Sequence, residues 1–351
     1  MTTDFCRSFG ISVPVVLPGM THISVPNLVS AVAQSGGLGL LATASLNVAQ
    51  TEESICEVRR MTDVTFGIGI PLLVPDAREK AETAIRHKVP VVNFSLGKGD
   101  WLIDEVHSYG GKVIATVTTE KHAHAAARAG ADALLVTGYE AAGHGSSVTS
   151  LVLVPRIARD LEIPIVAAGG FCDGSGLTAA LALGASAVAM GTRFAVTRES
   201  PLHATSKQAV QIRSIDDTVY TDRFDGMDCR IMQTPAALKL VQAKPSMRTA
   251  VRAAYAHERQ NTLPRSKFYR RVLQKGPGHV IKLVRMADAG DAMRRALTEG
   301  DHETGVQPIG QGIGLVDDVP TVACLMERIM REARSSAESV SQSLLDPHSA
   351  F

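Results

Sequence analysis

Short, β-branched apolar runs recur through the first two hundred residues, separated by Ala-rich, charge-studded stretches of helical length. VPVVLPG (13–19), LGLLAT (38–43), FGIGIPLL (66–73) and VPVVNFSL (89–96) predict four strands. KVIATVTT (112–119), ADALLVTG (131–138), IPIVAAGG (163–170) and SAVAMGTRF (186–194) predict four more. These runs are nearly continuously apolar instead of alternating, so both faces are buried, as in a parallel sheet covered by helices. Between them, DAREKAETAIRHK (76–88) follows Pro75 and carries acidic residues early and basic residues late, matching a helix dipole. TEKHAHAAARAGAD (119–132) opens on a capping Thr119 and stops at Gly130. Eight strand–helix units completed near residue 200 predict an α/β protein with a TIM-type (β/α)8 barrel. In such a barrel the chemistry lies at the carboxyl ends of the strands.

The rhythm then changes. The barrel core is expected over 11–200, followed by a smaller, mostly helical substrate or lid domain over 201–304, broken at TDRFDG, KPS, LPRS and KGPGH. A Gly-rich return segment (305–333) with helical apolar spacing from about residue 319 is expected to complete the site, and the Ser-rich end (334–351) to fray.

Composition narrows the function classes. With 45% apolar and 20% charged residues, and Lys+Arg 36 against Asp+Glu 35, the 351-residue chain is neither a disordered protein nor a polycationic nucleic-acid binder. Aromatics at 4% beside 30 glycines suit close packing of small residues around buried strands and ligands. Five scattered cysteines without a C-x-x-C point to a reduced compartment. No signal-peptide pattern and no apolar run of about 20 residues is present, so a cytoplasmic protein away from membranes is expected.

Two loops concentrate the candidate chemistry. AAGGFCDGSG (167–176) and AMGTRF (189–194) follow strands seven and eight, where backbone amides can surround a phosphate; Gly169, Gly170, Gly191 and Thr192 would let an anion approach the main chain. The alternative is that these glycines serve tight turns only. No Walker-type loop and no persuasive G-x-G-x-x-G follows strand one. GYEAAGHGSS (138–147) follows strand six, and His144 between two glycines is the candidate for proton transfer or substrate binding, the alternative being a loop tether. Glu140 is read first as structural. His22, in LPGMTHIS after strand one, stands at the proper end but is read as loop-forming before substrate-binding. His122 and His124 make a poor ligand pair, and no metal is expected. Cys172 is read as a buried or incidental thiol, Ser146 and Ser147 as caps, and RSKFYRRVLQK (265–275) as a solvated helix face.

Taken in order, LPGM (17–20), SGGLGLLA (35–42), FGIGIPLL (66–73), GYEAAGHG (138–145), AAGG (167–170), GASAVAMGTRF (184–194) and GQGIGL (310–315) resemble the nitronate monooxygenase family. The same set resembles the related flavin-dependent enoyl-acyl-carrier-protein reductases. The resemblance spans about residues 11–333 and implies an FMN-binding TIM barrel with a smaller helical domain. It implies phosphate-binding backbone at Gly169, Gly170, Gly191 and Thr192, Met20 beside the flavin, and Gln311 as a flavin-site residue. His144 matches the histidine of the family's A-G-G-H motif, with Ala142 where the first of the two glycines usually stands.

A second departure bears on substrate. Many nitronate-oxidising members read F-G-V-N after strand three, with the Asn amide near the flavin, whereas this chain reads FGIG with Gly69. The resemblance implies first the oxidation of an alkyl nitronate or nitroalkane by bound FMN and dioxygen to a carbonyl compound and nitrite, with His144 as base or anion ligand. It implies as alternative an NAD(P)H-dependent reductase of enoyl thioesters. A homodimer is the family-based expectation for assembly.

Overall fold

A computed structural model of the chain describes residues 2–74, 76–242 and 288–345. Eight parallel strands close into a barrel in sequence order: β1 Val15–Leu17, β2 Leu38–Ala42, β3 Gly67–Pro71, β4 Val91–Ser95, β5 Lys112–Val117, β6 Ala133–Thr137, β7 Ile165–Ala168 and β8 Ala187–Ala189. Each lies within a run expected to form a strand. The expected eighth run is the exception in length, because after β8 the chain turns into a short helix, Gly191–Ala195, instead of extending to residue 194. β8 pairs with β1 through Val188↔Val15 and Ala189↔Val16, which closes the cylinder and leaves no sheet edge.

Two apolar layers follow from the alternation of side chains along each strand. Val16, Leu38, Leu40, Val91, Ile114, Leu135, Val166 and Ala187 form one cluster inside the barrel. Its amino-terminal end is plugged by α1 (Asp4–Phe9), whose Phe5 and Phe9 stack at 4.3 Å. Thr3 caps that helix and Gly10, at φ 65°, ends it in the left-handed region. The other face of the strands packs against the surrounding helices α2 (Pro26–Gln34), α3 (Val48–Met61), α4 (Ala77–Arg86), α5 (Asp100–His107), α6 (Glu120–Arg128), α7 (Ser150–Ala158) and α8 (Gly174–Ala182).

Beyond the barrel lie two short helices, Ala204–Gln211 and Pro235–Gln242, and an antiparallel hairpin, β9 (Thr218–Thr221) with β10 (Cys229–Met232). The hairpin lies within a region expected to be mostly helical, and the expected break at TDRFDG falls at the end of β9 and in the turn that follows it. KPS, LPRS, KGPGH and the basic run 265–275 lie outside the described residues. The Gly-rich segment bridges to the hairpin through Ile231↔Pro308 and leads into a final helix, Val322–Leu345. The helix runs on past residue 334, where fraying is expected, to Leu345, and residues 346–351 lie outside the described residues. The helix persists because it crosses α8: a Cβ on Gly174 would stand 2.3 Å from Ala333 N and Ile329 O, and Thr178 and Ser175 hydroxyls bond Ala333 O and Ser336 Oγ. No described helix is long and apolar enough to cross a membrane.

Candidate active site

The carboxyl end of the barrel gathers all the loops singled out in the sequence. After β1, Ser24 Oγ donates to Pro18 O at 2.7 Å and accepts from Met20 N at 3.0 Å, which pins the Met20 loop. The Met20 thioether then lies against Gly191, 3.3 Å from where a Cβ on that residue would stand. Thr192 Oγ1 accepts from Gly310 N at 3.1 Å, and Gln311 N donates to Glu140 O at 2.8 Å. A Cβ on Gly310 would come within 2.9 Å of Glu140 O. The return segment therefore threads between the loops after β6 and β8, and Met20, Gly191, Thr192 and Gln311 form one continuous wall.

Gly169 and Gly170 complete that wall after β7. Their φ values of 112° and 80° lie where residues with a Cβ are strained, and Gly169 faces the Glu140 carboxylate. Glu140 itself is committed to the scaffold: Ser150 N and Ser150 Oγ donate to its carboxylate at 3.0 and 2.9 Å, so it caps the amino end of α7. On the opposite side Gly19 and Gly69 meet without side chains, a Cβ on Gly69 standing 3.4 Å from Gly19 Cα. The loops after β7 and β8 thus present backbone without side chains, while Gly19 and Gly69 let β1 and β3 approach backbone to backbone. Side-chain-free backbone at Gly169, Gly170 and Gly191 is what a phosphorylated cofactor needs for close approach of its phosphate, and the residues fit FMN on that ground.

His144 stands in the loop after β6, and its Nε2 meets Asp225 Oδ2 at 2.6 Å. Met227 N donates to the other carboxylate oxygen at 3.0 Å, which orients Asp225 in the turn of the β9–β10 hairpin. The sequence reading missed Asp225, which lies 81 residues away along the chain. Beneath this pair, Arg230 is buried and donates to Tyr139 O and Thr218 Oγ1, with its guanidinium carbon 4.5 Å from the Tyr139 ring centroid. It bolts the hairpin to the β6 loop. Chemically, the arrangement is an imidazole backed by a carboxylate, suited to moving a proton.

The remaining candidates separate from this centre. His22 adopts φ 65°, and burial together with the charge of Arg294 holds its ring below the ordinary imidazole range. Cys172 is buried against Gly312, and burial pushes its thiol up to about 12, consistent with an inert packing role. Glu120, His124 and Asp160 bring ligand-type atoms within 4.8 Å of one another at α6 and α7, outside the barrel. Arg156 donates to both Glu120 and Asp160 at 2.8 Å, so one of the two negative charges there is already compensated.

Comparison with known proteins was consistent with this geometry. A family model described as nitronate monooxygenase matches residues 3–88 and 77–332. A Rhodococcus jostii protein named (3aS,4S,5R,7aS)-5-hydroxy-7a-methyl-1-oxo-octahydro-1H-indene-4-carboxyl-CoA dehydrogenase is 36% identical over 339 residues, covering 95% of this chain and 96% of the relative. A probable nitronate monooxygenase of Staphylococcus aureus is 30% identical over 268 residues, covering 63% of this chain and 75% of the relative. Among solved structures, FabK from Thermotoga maritima superposes with a TM-score of 0.82 at 33% identity, covering 98% of this chain and 99% of that one.

Proposed function

The chain belongs to the nitronate monooxygenase family of flavin-dependent oxidoreductases, and from that premise we propose that it is an FMN enzyme acting on the Cα–Cβ bond of an acyl or enoyl thioester. One observation carries the choice of substrate. The relative that matches nearly end to end is named for a carboxyl-CoA substrate, whereas the relative named for nitronates matches over 63% of this chain. Gly69 in place of the amide common in nitronate oxidisers points the same way. This reverses the order of the two activities implied by the sequence motifs.

Gly169, Gly170, Gly191 and Thr192 would hold the FMN phosphate, and Met20 and Gln311 would contribute to holding the rest of the cofactor. Bound FMN supplies a two-electron acceptor or donor for hydride. The thioester carbonyl makes the neighbouring Cα–H acidic, and His144 takes that proton in the oxidative direction or returns it in the reductive direction. Asp225 holds the ring and stabilises it while it carries the proton. The substrate is a small organic thioester. The cytoplasm is its place of action.

An anaerobic visible spectrum of the FMN-loaded protein tests the reading. Bleaching of the oxidised-flavin bands by a bicyclic or short-chain saturated acyl-CoA is expected. Alternatively, NAD(P)H bleaches them and crotonyl-CoA restores them. Bleaching by an alkyl nitronate with no response to either thioester would instead return the assignment to nitronate oxidation. His144→Ala is expected to retain FMN and lose turnover.

A further inference from the structure

We propose that Arg193 is a positioning residue for the cofactor phosphate, a buried cation that ties the loop after β8 to the return segment beside the loop after β7; this rests on the flavin reading above. Arg193 directly follows Gly191 and Thr192 in the short helix Gly191–Ala195, yet its side chain is 2% exposed. Burying a guanidinium is costly, and an apolar side chain of similar size would fill the same space without that cost. What the charge adjoins therefore matters more than the area it buries.

Its Nη1 donates to Asp318 Oδ1 at 2.9 Å, and its Nη2 donates to Asp318 O at 2.6 Å and to Val196 O at 2.9 Å. Since Gly310 N also donates to Thr192 Oγ1, two consecutive residues of the β8 loop are tied to the return segment, one through Gly310 and one through Asp318. The third segment is close by: the Arg193 charge acts on the thiol of Cys172, two residues after Gly170, and a Cβ on Gly312 would stand 2.3 Å from that sulfur. The charge is only partly cancelled. Asp318 is shared with Arg328, whose Nη1 and Nη2 donate to Oδ2 at 2.7 Å and to Oδ1 at 3.1 Å, and Arg193 Nε has no hydrogen-bond partner among the described residues. Asp317 and Glu332 act on Arg328, so the positive surplus remains on the Arg193 side. A phosphate monoester, with about two negative charges at pH 7, is the complementary group for the glycine-rich backbone in front of it.

Riboflavin, the same ring without the phosphate, supplies the test. Apoprotein would be titrated with FMN and with riboflavin, followed by flavin fluorescence, for the natural chain, Arg193→Met and Arg193→Lys. Asp318 keeps Arg328 as a partner in both variants, so neither leaves a carboxylate unpaired. Arg193→Met is expected to weaken FMN binding about tenfold, within the usual range for coupled sites, and to leave riboflavin binding unchanged. Arg193→Lys keeps the charge and loses the planar fork, so a smaller loss confined to FMN is expected. By reciprocity FMN should slow amide exchange over residues 311–322 in the natural chain, and slow it less in Arg193→Met. Equal losses for the two flavins would overturn the proposal, because Arg193 would then serve the fold alone. So would an unchanged FMN affinity in Arg193→Met. Should that variant not fold, Arg193→Lys decides by the same comparison, and equal losses there overturn it. A natural chain that binds both flavins equally would keep the flavin reading and refute this inference, whereas one that binds neither would refute both.

Discussion

Replacing Asp225 by Asn tests whether the carboxylate behind His144 acts in turnover. The two side chains meet at 2.6 Å with 29% and 13% of their surfaces exposed, so the bond is partly sheltered from water. A hydrogen bond with a charged partner contributes about 1.5–3 kcal/mol, against about 0.5–1.5 kcal/mol for a neutral one. When His144 carries the substrate proton, Asn keeps a neutral contact and loses the charge. The difference is about 1–2 kcal/mol in the transition state, or roughly a 5- to 30-fold fall in rate. The assay is the rate of flavin reduction by an acyl-CoA, measured anaerobically in a single turnover, together with the thioester's dissociation constant. The rate should fall while both FMN content and thioester affinity hold. The decisive comparison is the double variant: in a His144→Ala background, Asp225→Asn should have no further effect, because the residue it acts through is gone. Equal losses in both backgrounds would mean that Asp225 only braces the hairpin.

Three further outcomes follow from the scaffold. Burial alone would raise the Asp132 carboxyl, but Lys112, Val113 N–H and His107 outweigh it and hold it below the ordinary carboxylate range. A carboxyl lowered on folding stabilises fully above its unfolded value, near 4, and that contribution disappears as the pH falls through the lowered folded value. Asp132→Asn should therefore cost about 1–3 kcal/mol at pH 7 in urea denaturation and flatten the acid limb of the stability curve. Gly174→Ala places a Cβ 2.3 Å from backbone atoms of the final helix, and should lower stability by about 1–3 kcal/mol in the same measurement. Iodoacetamide under native conditions should label exposed Cys324 and spare Cys172, whose thiol burial holds at about 12; peptide mass spectrometry reads both positions.

What the sequence exposes about this molecule depends on how local the cause is. Each barrel strand is buried on both faces by its own neighbours in sequence, so a continuous apolar run such as VPVVNFSL marks β4 without any knowledge of the rest of the chain. The helix caps at Thr119 and the stop near Gly130 are equally local, and α6 begins and ends beside them. The hairpin is different: TVYT and CRIM are four residues each, too short for a period to emerge, and what holds them is Arg230 reaching Tyr139 O across 91 positions. The final helix outruns its Ser-rich text because α8 supplies partners at Ala333 and Ser336 that no local rule contains.

The same distinction separates the glycine-rich loops from the partner of His144. Gly169, Gly170, Gly191 and Thr192 sit where the barrel's regular path ends, so the strand pattern that reveals the fold also reveals them. His144 belongs to the same group, since it follows β6 directly. Asp225 does not, because the segment carrying it lies outside the repeating units and reaches the β6 loop only through tertiary packing. Asn93 falls between the two cases: a polar residue in the middle of VVNFS breaks an apolar run, and that interruption is visible, but its partners Ile114 O and Thr116 Oγ1 lie on the next strand. What the barrel repeat carries is therefore legible as a motif, whereas a partner such as Asp225, brought to the β6 loop from outside the repeat, is legible only in the folded chain.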